Sequence, residues 1–130
     1  MRPQPDPIFA AIDEHREASR AYDAASKAAW ARRRNGGDDL GYGAECDALV
    51  ATIDRVIATA PSTRGGLKTL SDYLAEAENG GIGVRINQRL QAEGHVFEIN
   101  PDPDLTMADR FFGSSVAFFI ARRAAEIDRG

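Results

Sequence analysis

Phe111-Phe112-Gly113-Ser114-Ser115-Val116-Ala117-Phe118-Phe119-Ile120-Ala121 is the stretch that decides how this chain folds. It holds four of the six phenylalanines and no charge. On a helical wheel Phe111, Phe112, Ser115, Val116, Phe118, Phe119 and Ile120 cover more than half the circumference, and Gly113, Ser114, Ala117 and Ala121 complete it. A helix without a polar face is buried all round. At 1.5 Å per residue the block spans about 16 Å, too short to cross a bilayer. It is therefore either the centre of the fold or the heart of an interface. The other helical stripes of the chain are narrow and Ala-rich, with little area to cover it. The expectation is that a second copy covers part of the block in a two-fold homodimer, with Phe111, Phe112, Phe118, Phe119 and Ile120 as anchors.

Working outward, Thr106 with Asp109 three positions on starts a last helix that runs to about Asp128. At the other end of the chain Asp6 can cap a first helix, and Pro7 suits its first position. Ile8, Ala11, Ile12, His15, Ala18, Ser19, Tyr22, Ala25, Ala29 and Trp30 recur at helical spacing, with a stop signal at Asn35-Gly36-Gly37. Arg32, Arg33 and Arg34 in the last turn complement the helix dipole. A second helix carries Cys46, Leu49, Val50, Ile53, Val56, Ile57 and Ala60 and closes at Pro61, so the two form an antiparallel hairpin. Ser62 or Thr63 can cap a third helix with Leu67, Leu70, Leu74 and Ala77, ending at Asn79-Gly80-Gly81.

Two readings fit residues 84–99. Val84, Ile86 and Leu90, then Phe97 and Ile99 after Gly94, read as a small β-hairpin; a short helix from Val84 to Glu93 with Gly94 closing it fits equally. The fold class is thus mainly α: an antiparallel hairpin, a third helix and an apolar C-terminal helix, with or without that hairpin. A length of 130 residues makes one domain, with residues 1–6 as a flexible N-terminus.

A net charge of -4 opposes phosphate-backbone binding, so no nucleic-acid partner is expected. Hydrophobic residues at 43% argue against a disordered chain. One cysteine, Cys46, forms no intrachain disulfide and suits a reducing, cytoplasmic compartment. The opening residues lack a signal peptide's apolar core, and no stretch is long enough for a membrane span.

Nothing names a reaction. His15 lacks a second ligand at i+3 or i+4, where Ala18 and Ser19 stand, so a metal role finds no support and a buried, hydrogen-bonded histidine is the reading. His95 beside Glu93 and Glu98 has no metal-site spacing either. Cys46 on an apolar stripe reads as a small hydrophobe. Gly80-Gly81-Ile82-Gly83 lacks the Lys-Ser/Thr of a phosphate loop and reads as a turn. No catalytic residue, metal or cofactor is assigned.

The segment from Asp6 through Ile8, Phe9 and Ile12 to Arg16 resembles the start of a family of small uncharacterised alphaproteobacterial proteins. The run Pro61-Ser62-Thr63-Arg64-Gly65-Gly66-Leu67, with Tyr73-Leu74-Ala75-Glu76 after it, resembles their second shared block. The resemblance implies a helical, cytoplasmic, mobile-element-associated protein; the family carries no established activity, so no function transfers from it.

The functional expectation is a non-enzymatic interaction or regulatory protein that pairs with itself and, through an acidic surface, with a basic protein. The alternative is a small-molecule-binding protein or enzyme with a pocket between the first and last helices lined by His15, Tyr22 and Trp30.

Overall fold

The computed structural model describes residues 5–36, 43–76 and 79–129, and among them five helices and no strand. These are α1 (Pro7–Arg34), α2 (Gly43–Ala58), α3 (Arg64–Ala75), α4 (Gly80–Ala92) and α5 (Met107–Arg129). The fold is mainly α, as the periodicities imply.

Three helices, α1, α3 and α5, start where a short polar side chain takes up an unpaired amide. Asp6 caps α1, its Oδ1 accepting from Ile8 N at 3.1 Å. Thr63 caps α3, its Oγ1 accepting from Gly66 N at 3.0 Å. Thr106 does the same at α5 for Asp109 N at 3.2 Å. α1 and α2 form the expected antiparallel hairpin, and Arg55 near the end of α2 pairs with Glu14 near the start of α1.

Of the two readings of residues 84–99 the helical one holds from Val84 to Ala92, and 95–99 form neither helix nor strand. Ile82, Ile86 and Leu90 are all buried, and so is Gly83 next to Ile82; this grouping at i, i+1, i+4 and i+8 is one face of a helix, whereas a strand would turn neighbours to opposite sides. Gly94 adopts φ +98, donates to Gln91 O, and lets His95 N reach Leu90 O at 3.0 Å, the Schellman closure of a helix. The glycine run at 80–83 is the first turn of α4 and not a loop. A Cβ on Gly83 would sit 3.5 Å from Val116 Cγ2 and 3.7 Å from Phe112 Cβ, ordinary van der Waals contact, so this turn of α4 faces α5. α3 accordingly stops earlier than Asn79, at Ala75, and Asn79 becomes the residue before α4. Ala77, expected on α3, lies outside the described residues.

α4 and α5 run parallel. Gly83 meets Phe112 and Val116, Asn87 Oδ1 accepts from Ser115 Oγ, and Glu93 pairs with Arg122 at 3.1 Å. Parallel neighbours need a return connection, and residues 94–106 supply it by running back along α5. Phe97 packs on Phe118 with ring centroids 5.6 Å apart, and Asn100 N donates to Arg110 O at 2.9 Å.

The core joins Ile8, Ala11 and Ile12 of α1, Val56 and Ile57 of α2, Leu70, Tyr73 and Leu74 of α3, the α4 stripe and Phe119 of α5. Its polar clamp is Asp6, only 4% exposed. Besides Ile8 N, this carboxylate accepts from Ser62 N at 3.0 Å, Thr63 N at 2.9 Å and Thr63 Oγ1 at 2.7 Å. One side chain thereby caps α1 and holds the start of α3. Burial on its own would raise the Asp6 pKa; the bonds from the Thr63 hydroxyl and from the amides of Ile8, Ser62 and Thr63 outweigh it and hold the group below its ordinary value. Gly66 leaves the room, since a Cβ there would fall 2.0 Å from Asp6 Oδ2.

Asp6→Ala is expected to cost about 2–4 kcal/mol in urea unfolding, because it strands several amides at once. Gly66→Ala should destabilise through the same contact, by about 1–3 kcal/mol. Because the folded-state pKa of Asp6 is depressed, its stabilisation is present above about pH 4 and lost as pH falls through the folded value. Asp6→Asn should flatten that part of the acid-unfolding profile; an unchanged profile would show that the clamp does not titrate.

Candidate functional site

The apolar block of α5 is covered by its own chain on one strip only. Ser115 is fully buried against α4, and Phe119 is 6% exposed in the core with the Arg123 guanidinium 5.2 Å from its ring centroid. Phe118 is half-buried under His95, Phe97 and Arg122, whose guanidinium lies 5.0 Å from the ring centroid. Phe112 and Ile120 are half-buried, and Phe111 is 40% exposed. The five expected anchors therefore split: Phe118 and Phe119 are engaged within the chain, Ile120 packs partly on the core and also lines an open groove with Phe112, and Phe111 stands exposed one residue before Phe112.

That groove, of about 460 Å³, runs between α3, α4 and α5. Ser71, Leu74 and Ala75 of α3 form one wall, Gly83 the end toward α4, and Phe112, Gly113, Val116, Ala117, Ile120 and Ala121 of α5 the floor, with Asp109 at one end. Phe112, Val116 and Ile120 make a bulky row at i, i+4, i+8, and Gly113, Ala117 and Ala121 a parallel row of small residues beside it. The small row was readable from its spacing; the contribution of α3 was not, because no local pattern says which helix lies alongside.

A second, more polar cleft of about 660 Å³ opens between α1, α2 and α3. Arg16, Ser19, Arg20, Tyr22 and Asp23 of α1 line it, facing Leu49, Tyr73, Glu76 and Asn79. Arg16 lies 4.9 Å from the Tyr73 ring centroid and 3.8 Å from Glu76. Asn79 Nδ2 donates to Tyr73 O at 2.8 Å and to Glu76 Oε2 at 3.2 Å, fixing that wall.

Of the three pocket candidates, Tyr22 lines this cleft. His15 lies buried behind it, its Nδ1 and the Tyr73 hydroxyl 2.5 Å apart, with the phenol as the better donor. Trp30 is 60% exposed further along α1, beside Arg33, and does not line the cleft. The cleft borders α1, α2 and α3, so it is not between the first and last helices. Cys46 is half-buried. Among the described residues no three His, Cys, Asp or Glu side chains are grouped to hold a metal ion, and no helix is long and apolar enough to cross a membrane.

Compared with known protein families, curated proteins and solved structures, the chain matches none.

Burial lowers the His15 pKa, so the folded state prefers the neutral ring. The unfolded chain takes up that proton first, and stability should fall as pH drops below about 6.5. Tyr73→Phe should cost about 1–3 kcal/mol by leaving a buried ring nitrogen without a partner, and His15→Ala a similar amount. An NMR titration that finds His15 at or above the ordinary imidazole value would contradict the burial argument.

Proposed function

We propose that this chain is a non-enzymatic interaction protein that works as a homodimer, two copies meeting through the open face of α5. The groove beside that helix is the observation that supports the reading: an apolar floor in water, on the segment with the fewest charges in the chain. The face is complementary to itself. Its bulky row and its small row lie side by side, so a two-fold axis crossing α5 sets the row of Phe112, Val116 and Ile120 of one copy into the row of Gly113, Ala117 and Ala121 of the other. An antiparallel crossing also opposes the two helix dipoles. Phe111 and Met107, one turn apart and both exposed, extend the surface toward the start of α5.

In this reading the acidic remainder of the surface meets a basic protein partner, and the dimer is a regulatory adaptor. A single cysteine suits the reducing bacterial cytoplasm, where we place it. A tie to the mobile-element-associated alphaproteobacterial proteins rests on the two sequence blocks they resemble.

Light scattering of the purified protein is expected to give a dimer mass. Ala117→Glu should give a monomer with little change in melting temperature, since Ala117 is exposed in the single chain. Phe119→Glu should instead unfold the protein, at a cost of about 3–5 kcal/mol, because it buries a charge in the core. A wild-type protein that stays monomeric at tens of micromolar concentration sinks the proposal.

A further inference from the structure

We infer that the polar cleft between α1, α2 and α3 binds a small organic anion, a carboxylate or phosphate carried on an apolar body, with Arg20 and Ser19 as its head-group contacts. The inference does not rest on self-association through α5, because the cleft and the groove share no lining residue.

Three observations support it. First, the charges around the cleft are unequally occupied. Glu76 is already held by Asn79 Nδ2 and by Arg16, and Asp23 pairs with Lys27 at 3.4 Å. Among the described residues Arg20 alone of the charged lining has neither an ion pair nor a hydrogen bond. The cleft thus offers one unclaimed guanidinium, the side chain best suited to grip a carboxylate or phosphate with two parallel hydrogen bonds. Secondly, Ser19 precedes Arg20 and also lines the cleft, half-buried, so a hydroxyl donor stands beside the cation. Arg16, one turn away on the same helix, adds positive potential while its own position is fixed on the Tyr73 ring.

Thirdly, the opposite side of the cleft is not purely polar. Leu49 and Tyr22 are both half-buried and offer carbon surface for the body of the ligand, while Tyr73 and Asn79 close the back. An anionic head with an apolar body uses both halves of such a site. Inorganic phosphate, lacking the body, should bind more weakly than an aryl anion. The back wall is rigid: Asn79 is buried and tied to Tyr73 O, and Tyr73 is tied to His15, so little ordering is needed when a ligand enters.

The test is an NMR titration of the full chain with benzoate, phenyl phosphate, inorganic phosphate and, as the charge-reversed control, benzylammonium. Benzoate or phenyl phosphate is expected to shift the amide signals of Ser19, Arg20, Tyr22 and Leu49, more strongly than inorganic phosphate, while benzylammonium does not. Arg20→Gln, at an exposed position that leaves the core intact, should weaken binding of the anion about tenfold or more. The inference is overturned if no anion binds at millimolar concentration, if the shifts centre on Arg32, Arg33 and Arg34 or on Arg89, Arg122 and Arg123, or if Arg20→Gln binds as the parent does. Equal binding of benzylammonium would overturn it too.

Discussion

One carboxylate, that of Asp6, governs how the first and third helices meet. Its Oδ1 holds the first turn of α1, and its Oδ2 takes the amides of Ser62 and Thr63 and the Thr63 hydroxyl. Thr63 passes the interaction on, since the same hydroxyl oxygen accepts from Gly66 N and so starts α3. Two helix starts far apart in sequence thus end on one buried charge. A buried carboxylate is tolerated only when it is fully hydrogen-bonded, so any shift of α3 relative to α1 that breaks these bonds is strongly opposed. Ile8, Leu70 and Tyr73 pack on the register that this clamp sets.

From that register the two candidate sites follow, because α3 is the wall between them. Tyr73 faces α1 and closes the polar cleft, while Ser71, Leu74 and Ala75 border the apolar groove. The second determinant is the parallel pairing of α4 and α5. It rests on contact between Gly83 and α5, a half-buried Ser115–Asn87 hydrogen bond, and a return segment that sets Phe97 and His95 over Phe118. Those contacts use up one strip of α5. The strip that carries Gly113, Ala117 and Ala121 meets only α3 and the Gly83 end of α4 and is left open.

Helix existence was largely legible from local chemistry. The caps at Asp6, Thr63 and Thr106 and the stop at Asn35 and Gly36 act within a few residues, so their signals survive without tertiary information. The region from Asn79 to Gly94 was not legible in the same way. Three glycines in four residues read locally as a turn, and Val84 and Ile86 fit a period of two as well as Ile82, Ile86 and Leu90 fit a helical one. Packing decided it: glycine is costly in a free helix, and here burial of Ile82, Ile86 and Leu90 against the rest of the core offsets that cost. For the sites, the aromatic block was visible as a surface needing cover. Tyr22 was picked out as a lining residue, but Arg16, Arg20 and Asn79 were not, since single polar residues carry no pattern until a wall forms opposite them.

The sequence by itself determined that the chain is helical, where most of its helices begin, and that residues 111–121 demand burial, because caps, periodicity and transfer of apolar surface are local or additive quantities. Only the tertiary structure decided which side of α5 stays open, that α4 runs parallel to it, and that Asp6 serves two helices. These depend on contacts between residues tens of positions apart, where each face has several possible neighbours and the best joint packing selects among them.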